Sequence, residues 1–181
     1  MPNSAHDDRY RTMNFAEILK GLHDSEIDYV LVGGLAVFLN GISRATLDID
    51  LALAMNDSNL DKFIDFAKKR GLKPRIPVPI DSLKSSSQIE TWFREKGMIA
   101  FSLVGPRFDD LSIDVLVRPV VPFEELRAHA RHASFSGGRV IVASPKDLIR
   151  MKQGTGRSVD ERDVVLLRDL VARSNSEAKN D

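Results

Sequence analysis

The chain contains no cysteine, which excludes disulfides and cysteine-ligated zinc or iron–sulfur centres. It also carries no net charge, because 26 Lys and Arg balance 26 Asp and Glu. Attachment to nucleic acid through a broad basic surface is therefore disfavoured, since neutralising phosphates takes many uncompensated cations. A local basic site stays open. No apolar run approaches the roughly 20 residues of a membrane helix, and the polar start MPNSAHDDRYRT lacks a signal-peptide core. These absences predict a soluble, cytoplasmic protein with no membrane partner. Internal repeats, low-complexity blocks, a Gly-x-Ser-x-Gly elbow and a convincing Ser–His–Asp set are missing as well.

What is present is enough apolar content, 43% of 181 residues, for one ordinary core. The pattern predicts a flexible N-terminus (1–13), one domain (14–173) and a flexible tail (174–181). Asn14 with Glu17 reads as a capping box for a helix bearing Phe15, Ile18, Leu19 and Leu22 on one face. DYVLVG (28–33) reads as a buried strand, followed by a short helix from Gly34 and a second strand, LDIDLALA (47–54). Ser58 is the expected cap of a helix that stops at Gly71, and a further helix is expected around 86–96. MIAFSLVG (98–105) and LSIDVLV (111–117) read as consecutive strands. A helix is predicted from Pro122 to about His132, then a hairpin turning at Gly137–Gly138. Two final helices are capped by Ser144 and by Ser158 with Glu161. The fold class is α/β (α+β), a mixed sheet with flanking helices.

The unusual feature is two carboxylates inside an apolar strand. Alternation puts Asp48 and Asp50 on one face, about 6.8 Å apart along the chain, with Ile49, Leu51 and Leu53 on the other. LSIDVLV repeats the pattern with Asp114, although Asp109 and Asp110 in the adjoining turn are rivals for its role. If the two strands are neighbours, three carboxylates converge. Such a cluster repels itself and persists when a cation neutralises it. All-oxygen ligands select Mg²⁺ or Mn²⁺ over zinc. Paired ions of that kind clamp the attacking and leaving oxygens of a phosphoryl displacement. Gly33 and Gly34, where a strand turns into a helix, let backbone approach a phosphate. Arg44 and Thr46 stand just ahead of the acid pair, within reach of a triphosphate.

Gly-Gly, a spacer (35–47), Asp-x-Asp on a strand and a later apolar-Asp-apolar strand resemble the nucleotidyltransferase superfamily, with its DNA-polymerase-beta-like core. RATLDID and SPKDLIRMKQGTGRSVDERDV look closest to bacterial stand-alone members, including abortive-infection-type nucleotidyltransferase toxins and small uncharacterised relatives. The resemblance covers residues 14–172. It implies that Asp48, Asp50 and Asp114 bind Mg²⁺ and that the glycine pair holds the phosphates of an NTP such as ATP. It also implies that Lys152 contacts the nucleotide, and it places Arg157, Asp160 and Asp163 in a similar pattern without a stated role. The implied reaction moves an NMP to a hydroxyl of RNA, protein or a small molecule, with an antitoxin as a conceivable partner for a toxin-like member. The chain departs from branches that carry Gly-Ser, since Gly34 takes the serine's place, and from lincosamide enzymes, which usually show a tryptophan where Leu35 stands.

Bland alternatives accompany each residue. Lys152 also suits a helix C-terminus on dipole grounds. Arg44 also suits a loop ion pair, and Thr46 a strand. His129 and His132 read as a solvated helix face more readily than as a metal pair. GTG (154–156) is a helix stop, because no strand precedes it. KKRGLKPR (68–75) could touch RNA but straddles a helix end, where such charges are routine. The non-enzymatic alternative is a nucleotide-binding or partner module without turnover.

Overall fold

The computed structural model describes residues 14–107, 110–135 and 138–177. In chain order the elements are α1 (Phe15–Asp24), β1 (Tyr29–Val32), α2 (Gly33–Leu39), β2 (Asp48–Leu53), α3 (Asp57–Lys69) and β3 (Lys73–Pro74). A 3-10 turn (Ile80–Lys84), α4 (Ser86–Lys96), β4 (Ala100–Val104), β5 (Ser112–Leu116) and α5 (Phe123–His129) follow. The chain then forms β6 (Arg131–Phe135), β7 (Gly138–Val142), α6 (Pro145–Lys152) and α7 (Ser158–Glu177). The strands make one mixed seven-stranded sheet in the order β3-β4-β5-β2-β1-β7-β6.

Local chemistry explains most boundaries. The Asn14 side chain accepts the Glu17 N–H at 3.0 Å and starts α1. The Ser144 hydroxyl does the same for Asp147 at the head of α6, where Pro145 takes the first helical position. β1 is buried along its whole length between antiparallel β2 and parallel β7, so its run of apolar residues needs no alternation.

Several boundaries differ from the predicted ones. α3 is capped by Asn56, whose side chain accepts the Asn59 N–H, and Ser58 lies within the helix. An Asx side chain two residues earlier fills the same capping role. α5 ends at His129 and not near His132, because Arg131–Phe135 pair with β7 and their backbone bonds go to the sheet. His129 and His132 therefore share no helix. At the start of α7 the Arg157 carbonyl accepts the Asp160 and Glu161 amides, and Ser158 is already helical. α7 continues to Glu177. The expected turn glycine Gly137 and the rival carboxylate Asp109 lie outside the described residues. The two-residue β3 and the 3-10 turn carried no sequence pattern. Among the described residues, no helix is long and apolar enough to cross a membrane.

Candidate active site

β2 and β5 are parallel neighbours, and Asp50 is the register partner of Asp114. On the other side Asp50 faces Val32, the last residue of β1, in the antiparallel ladder. Asp48, two residues before Asp50, shares its face. The intervening Ile49, Leu51, Ile113 and Val115 are fully buried on the opposite face. Core packing of one strand face thus aims three carboxylates out of the other. A one-residue slip of either strand would bury the acids and expose the aliphatics, so the apolar residues set the register of the site.

The carboxylates feel one another. Burial, then the Asp114 and Asp48 charges, push the Asp50 carboxyl up to about 6; the Lys152 ammonium and the Gly34 N–H pull the other way. Asp48 accepts a hydrogen bond from the Ser112 hydroxyl, its neighbour in the ladder. Asp114 Oδ1 is buried without a hydrogen-bond partner. A buried carboxylate oxygen with no donor costs free energy that a hard cation would recover. The donor set is all oxygen, so these residues fit Mg²⁺ or Mn²⁺.

The bend between β1 and α2 explains the first glycine. Gly33 has φ +65°, and a Cβ there would overlap the Asp50 carboxylate. Replacing Gly33 by Ala is therefore expected to displace Asp50 and to cost stability. Positive φ alone contributes about 1 kcal/mol, and the overlap adds to it. Activity and the thermal midpoint should both fall, as steady-state kinetics and melting would show. Gly34 → Ala is the control, since φ there is not positive and its Cβ would sit 3.0 Å from Thr46 Cβ and Oγ1. That is tight, but the threonine can yield by a few tenths of an ångström. Thr46 thus lies against the glycine bend, and Arg44 is close by, its Nη2 3.5 Å from the same point.

The remaining expected residue, Lys152, is found in a buried ionic cluster. Its ammonium lies 2.8 Å from Asp160 Oδ1 and 2.9 Å from Asp163 Oδ2. Both acids are 1% exposed. Asp160 also accepts from Thr155 at 2.8 Å and from Arg157 at 2.6 Å, while Asp163 pairs with Arg44 at 3.4 Å. Burial alone would raise the Asp160 pKa, but the bonds from Lys152, Thr155 and Arg157 outweigh it and hold the carboxyl below its ordinary value. Arg44 and Lys152, one before β2 and one on α6, are tied together through Asp163 on α7. The sequence held a signal for this. Asp160, Asp163, Val164 and Leu167 follow the i, i+3, i+4, i+7 spacing of a buried helix face, and acids in such positions demand partners.

A cleft of about 180 Å³ opens beside the carboxylates, with Gly33 and Asp50 at one end and Lys152, Thr155 and Arg157 at the other. Ser112 and the cleft residue Arg118 went unmarked in the sequence. Ser112 could have been found as the same-face neighbour two residues before Asp114; no pattern marked Arg118.

Glu125, His129 and Asp147 form the one group among the described residues that brings three such ligand atoms within 4.8 Å of one another. The Arg150 guanidinium bonds both Glu125 and Asp147, and Asp147 also accepts from Ser144 at 2.7 Å. The oxygens are thereby occupied, and the group reads as an ionic staple between α5 and α6. The Asp48, Asp50 and Asp114 oxygens are more widely spread, with Asp48 held toward Ser112.

No protein-family model matches the chain, and no curated protein sequence matches it significantly. Solved structures do match. A lincosamide antibiotic adenylyltransferase, LnuA, in its lincomycin-bound form, is similar over 88% of this chain and 99% of its own, with TM-score 0.58 and 14% identity. ANT(2")-Ia in complex with adenylyl-2"-tobramycin is similar over 90% of both chains, with TM-score 0.56 and 12% identity. An antigenic nucleotidyltransferase-like protein from Paracoccidioides brasiliensis is similar over 86% of this chain and 73% of its own, with TM-score 0.54 and 18% identity.

Proposed function

Starting from a chain with the nucleotidyltransferase fold, we propose that it transfers a nucleoside monophosphate from an NTP to an acceptor hydroxyl. One observation carries this reading: Asp50 and Asp114 are register partners on adjacent strands, with Asp48 on the same face, at a glycine bend that admits no side chain. Asp48, Asp50 and Asp114 would hold Mg²⁺. When bound, the metal supplies charge neutralisation and Lewis acidity toward the triphosphate. The chain's own residues do the rest. Gly33 and Gly34 keep the bend narrow so that phosphate oxygens can approach backbone. Arg44 and Lys152, held in place through Asp163, contribute positive potential beside the acids. Asp114 takes the proton of the acceptor hydroxyl. The acceptor oxygen forms a bond to the α-phosphorus, the bond to the bridging oxygen breaks, and pyrophosphate leaves. Catalysis of this kind comes mostly from positioning and electrostatics.

The second reading narrows the acceptor to a small molecule such as an antibiotic. The two neighbours whose bound forms are described above hold lincomycin and adenylylated tobramycin, and the neutral charge of this chain suits an uncharged or compact acceptor. Incubation with each α-labelled NTP, Mg²⁺ and fractionated cell extract separates the readings. Label in RNA or protein supports a macromolecular acceptor, and resistance of an expressing strain supports the antibiotic reading. NTP binding without pyrophosphate release in any fraction would leave a binding module and overturn the transferase reading.

A further inference from the structure

The cleft beside Asp50 has an uneven lining. Its middle is apolar, formed by Ile99, Leu116, Pro119, Val120, Leu148 and Met151. Two of these, Ile99 at 58% and Val120 at 73% exposed, present large unpartnered apolar surface at the rim. Polar side chains stand only toward the ends. The volume, about 180 Å³, is below the roughly 300–1,000 Å³ of a cleft that engulfs a whole drug-sized ligand. It suits the flat, apolar-faced end of a nucleotide, with the triphosphate running out over Gly33 toward the carboxylates.

The polar residues of the cleft decide what such an occupant meets. Lys152 is engaged by Asp160 and Asp163. The Thr155 hydroxyl donates to Asp160 and its oxygen receives the Arg157 N–H. The Arg157 guanidinium is on Asp160. Arg118 pairs with Glu90 at 2.5 Å and lies 4.5 Å above the Phe93 ring. Apart from Asp50, which belongs to the carboxylate face, no lining side chain offers a free hydrogen-bond acceptor. The exocyclic amines that distinguish adenine, and guanine from hypoxanthine, are donors and need one.

We infer that this cleft holds the nucleobase by apolar contact with Ile99, Val120 and their neighbours and does not read its exocyclic amine, so that the site accepts ATP, GTP and ITP alike. This deepens the proposed function and rests on it. A site that hydrogen-bonds a distinguishing group rejects an analogue lacking it by about 10⁴-fold or more, whereas an apolar wall discriminates weakly. The three purine nucleotides should therefore bind within about threefold of one another.

The test is calorimetric titration of the intact protein with ATP, GTP and ITP, each with Mg²⁺ and no acceptor, alongside Ile99 → Asp and Val120 → Asp. Both positions are exposed, so the substitutions should leave the thermal midpoint in place while weakening all three nucleotides to a similar degree, by about 10-fold. A preference above 10-fold between ATP and ITP overturns the inference, as does unchanged affinity in both variants. Those results leave the transferase reading standing if label is still transferred. Failure of every NTP to bind the folded wild-type protein overturns both.

Discussion

Asp50 → Asn is expected to abolish nucleotidyl transfer and, in the same molecule, to make the metal-free fold more stable. The activity loss follows from removing the central carboxylate, the one flanked by both others. A fall of about 10²–10³-fold or more is the scale for deleting a group aimed at transition-state charge. The stability gain follows from linkage. The Asp50 carboxyl is raised from 3.8 to about 6 by burial and by the Asp114 and Asp48 charges. Between those two values the folded state holds a proton that the unfolded chain has lost, so stability falls as pH rises through this window. Above about pH 6 the cost is complete, on the order of 2–3 kcal/mol at 1.36 kcal/mol per unit. Asparagine is neutral and nearly isosteric, and it removes that cost. Without metal, the wild-type protein should lose stability from pH 4 to pH 6.5 relative to the variant, and Mg²⁺ should restore the wild type alone at neutral pH. Denaturant titration across pH, with and without Mg²⁺, checks this. A less stable Asp50 → Asn protein at neutral pH would mean that the carboxylate is satisfied by the fold itself and is not waiting for a cation.

Lys152 → Met should have the opposite sign. The ammonium is buried between Asp160 and Asp163 at 2.8 and 2.9 Å. Removing one partner of a buried ionic group and leaving the others charged costs about 3–5 kcal/mol, a large share of the roughly 5–15 kcal/mol that holds a domain folded. Arg157 still covers one oxygen of Asp160, and Arg44 reaches Asp163 only at 3.4 Å. Asp163 is thus the group left most exposed to the loss. Lys152 → Met combined with Asp163 → Leu should recover part of the stability, because the orphaned charge goes with its partner. Depression of the Asp160 pKa by its three donors gives a contribution present above its ordinary value and lost as pH falls. Acidification should therefore weaken this cluster while it relieves the Asp50 site. A melting midpoint unchanged by Lys152 → Met would show that the ammonium does not support the fold.

Legibility from sequence differed between these two groups of charges for a physical reason. Asp48, Asp50 and Asp114 break an alternating apolar pattern, and a strand's period of two assigns them a face without further information. Ser144 before Pro145, and Asn14 before Glu17, announce helix starts through hydrogen bonds closed within a single turn. Lys152 was legible only as a resemblance, because its partners Asp160 and Asp163 lie beyond a helix end and a turn, where spacing says nothing about distance. The end of α5 was misplaced because its continuation, Arg131–Phe135, pairs with β7, a preference decided by a neighbour and not by local propensity.

By itself, the amino-acid order determined which residues could be acids on a strand face, where glycine was needed, and that no thiol chemistry was available. Tertiary structure decided that β5 lies parallel to β2 with Asp114 level with Asp50, that Asp163 joins Arg44 to Lys152, and that an apolar cleft ends at the carboxylates. The division has a simple origin. Periodicity and caps act over a few residues, whereas a charge acts on whatever the packed core brings within a few ångströms of it.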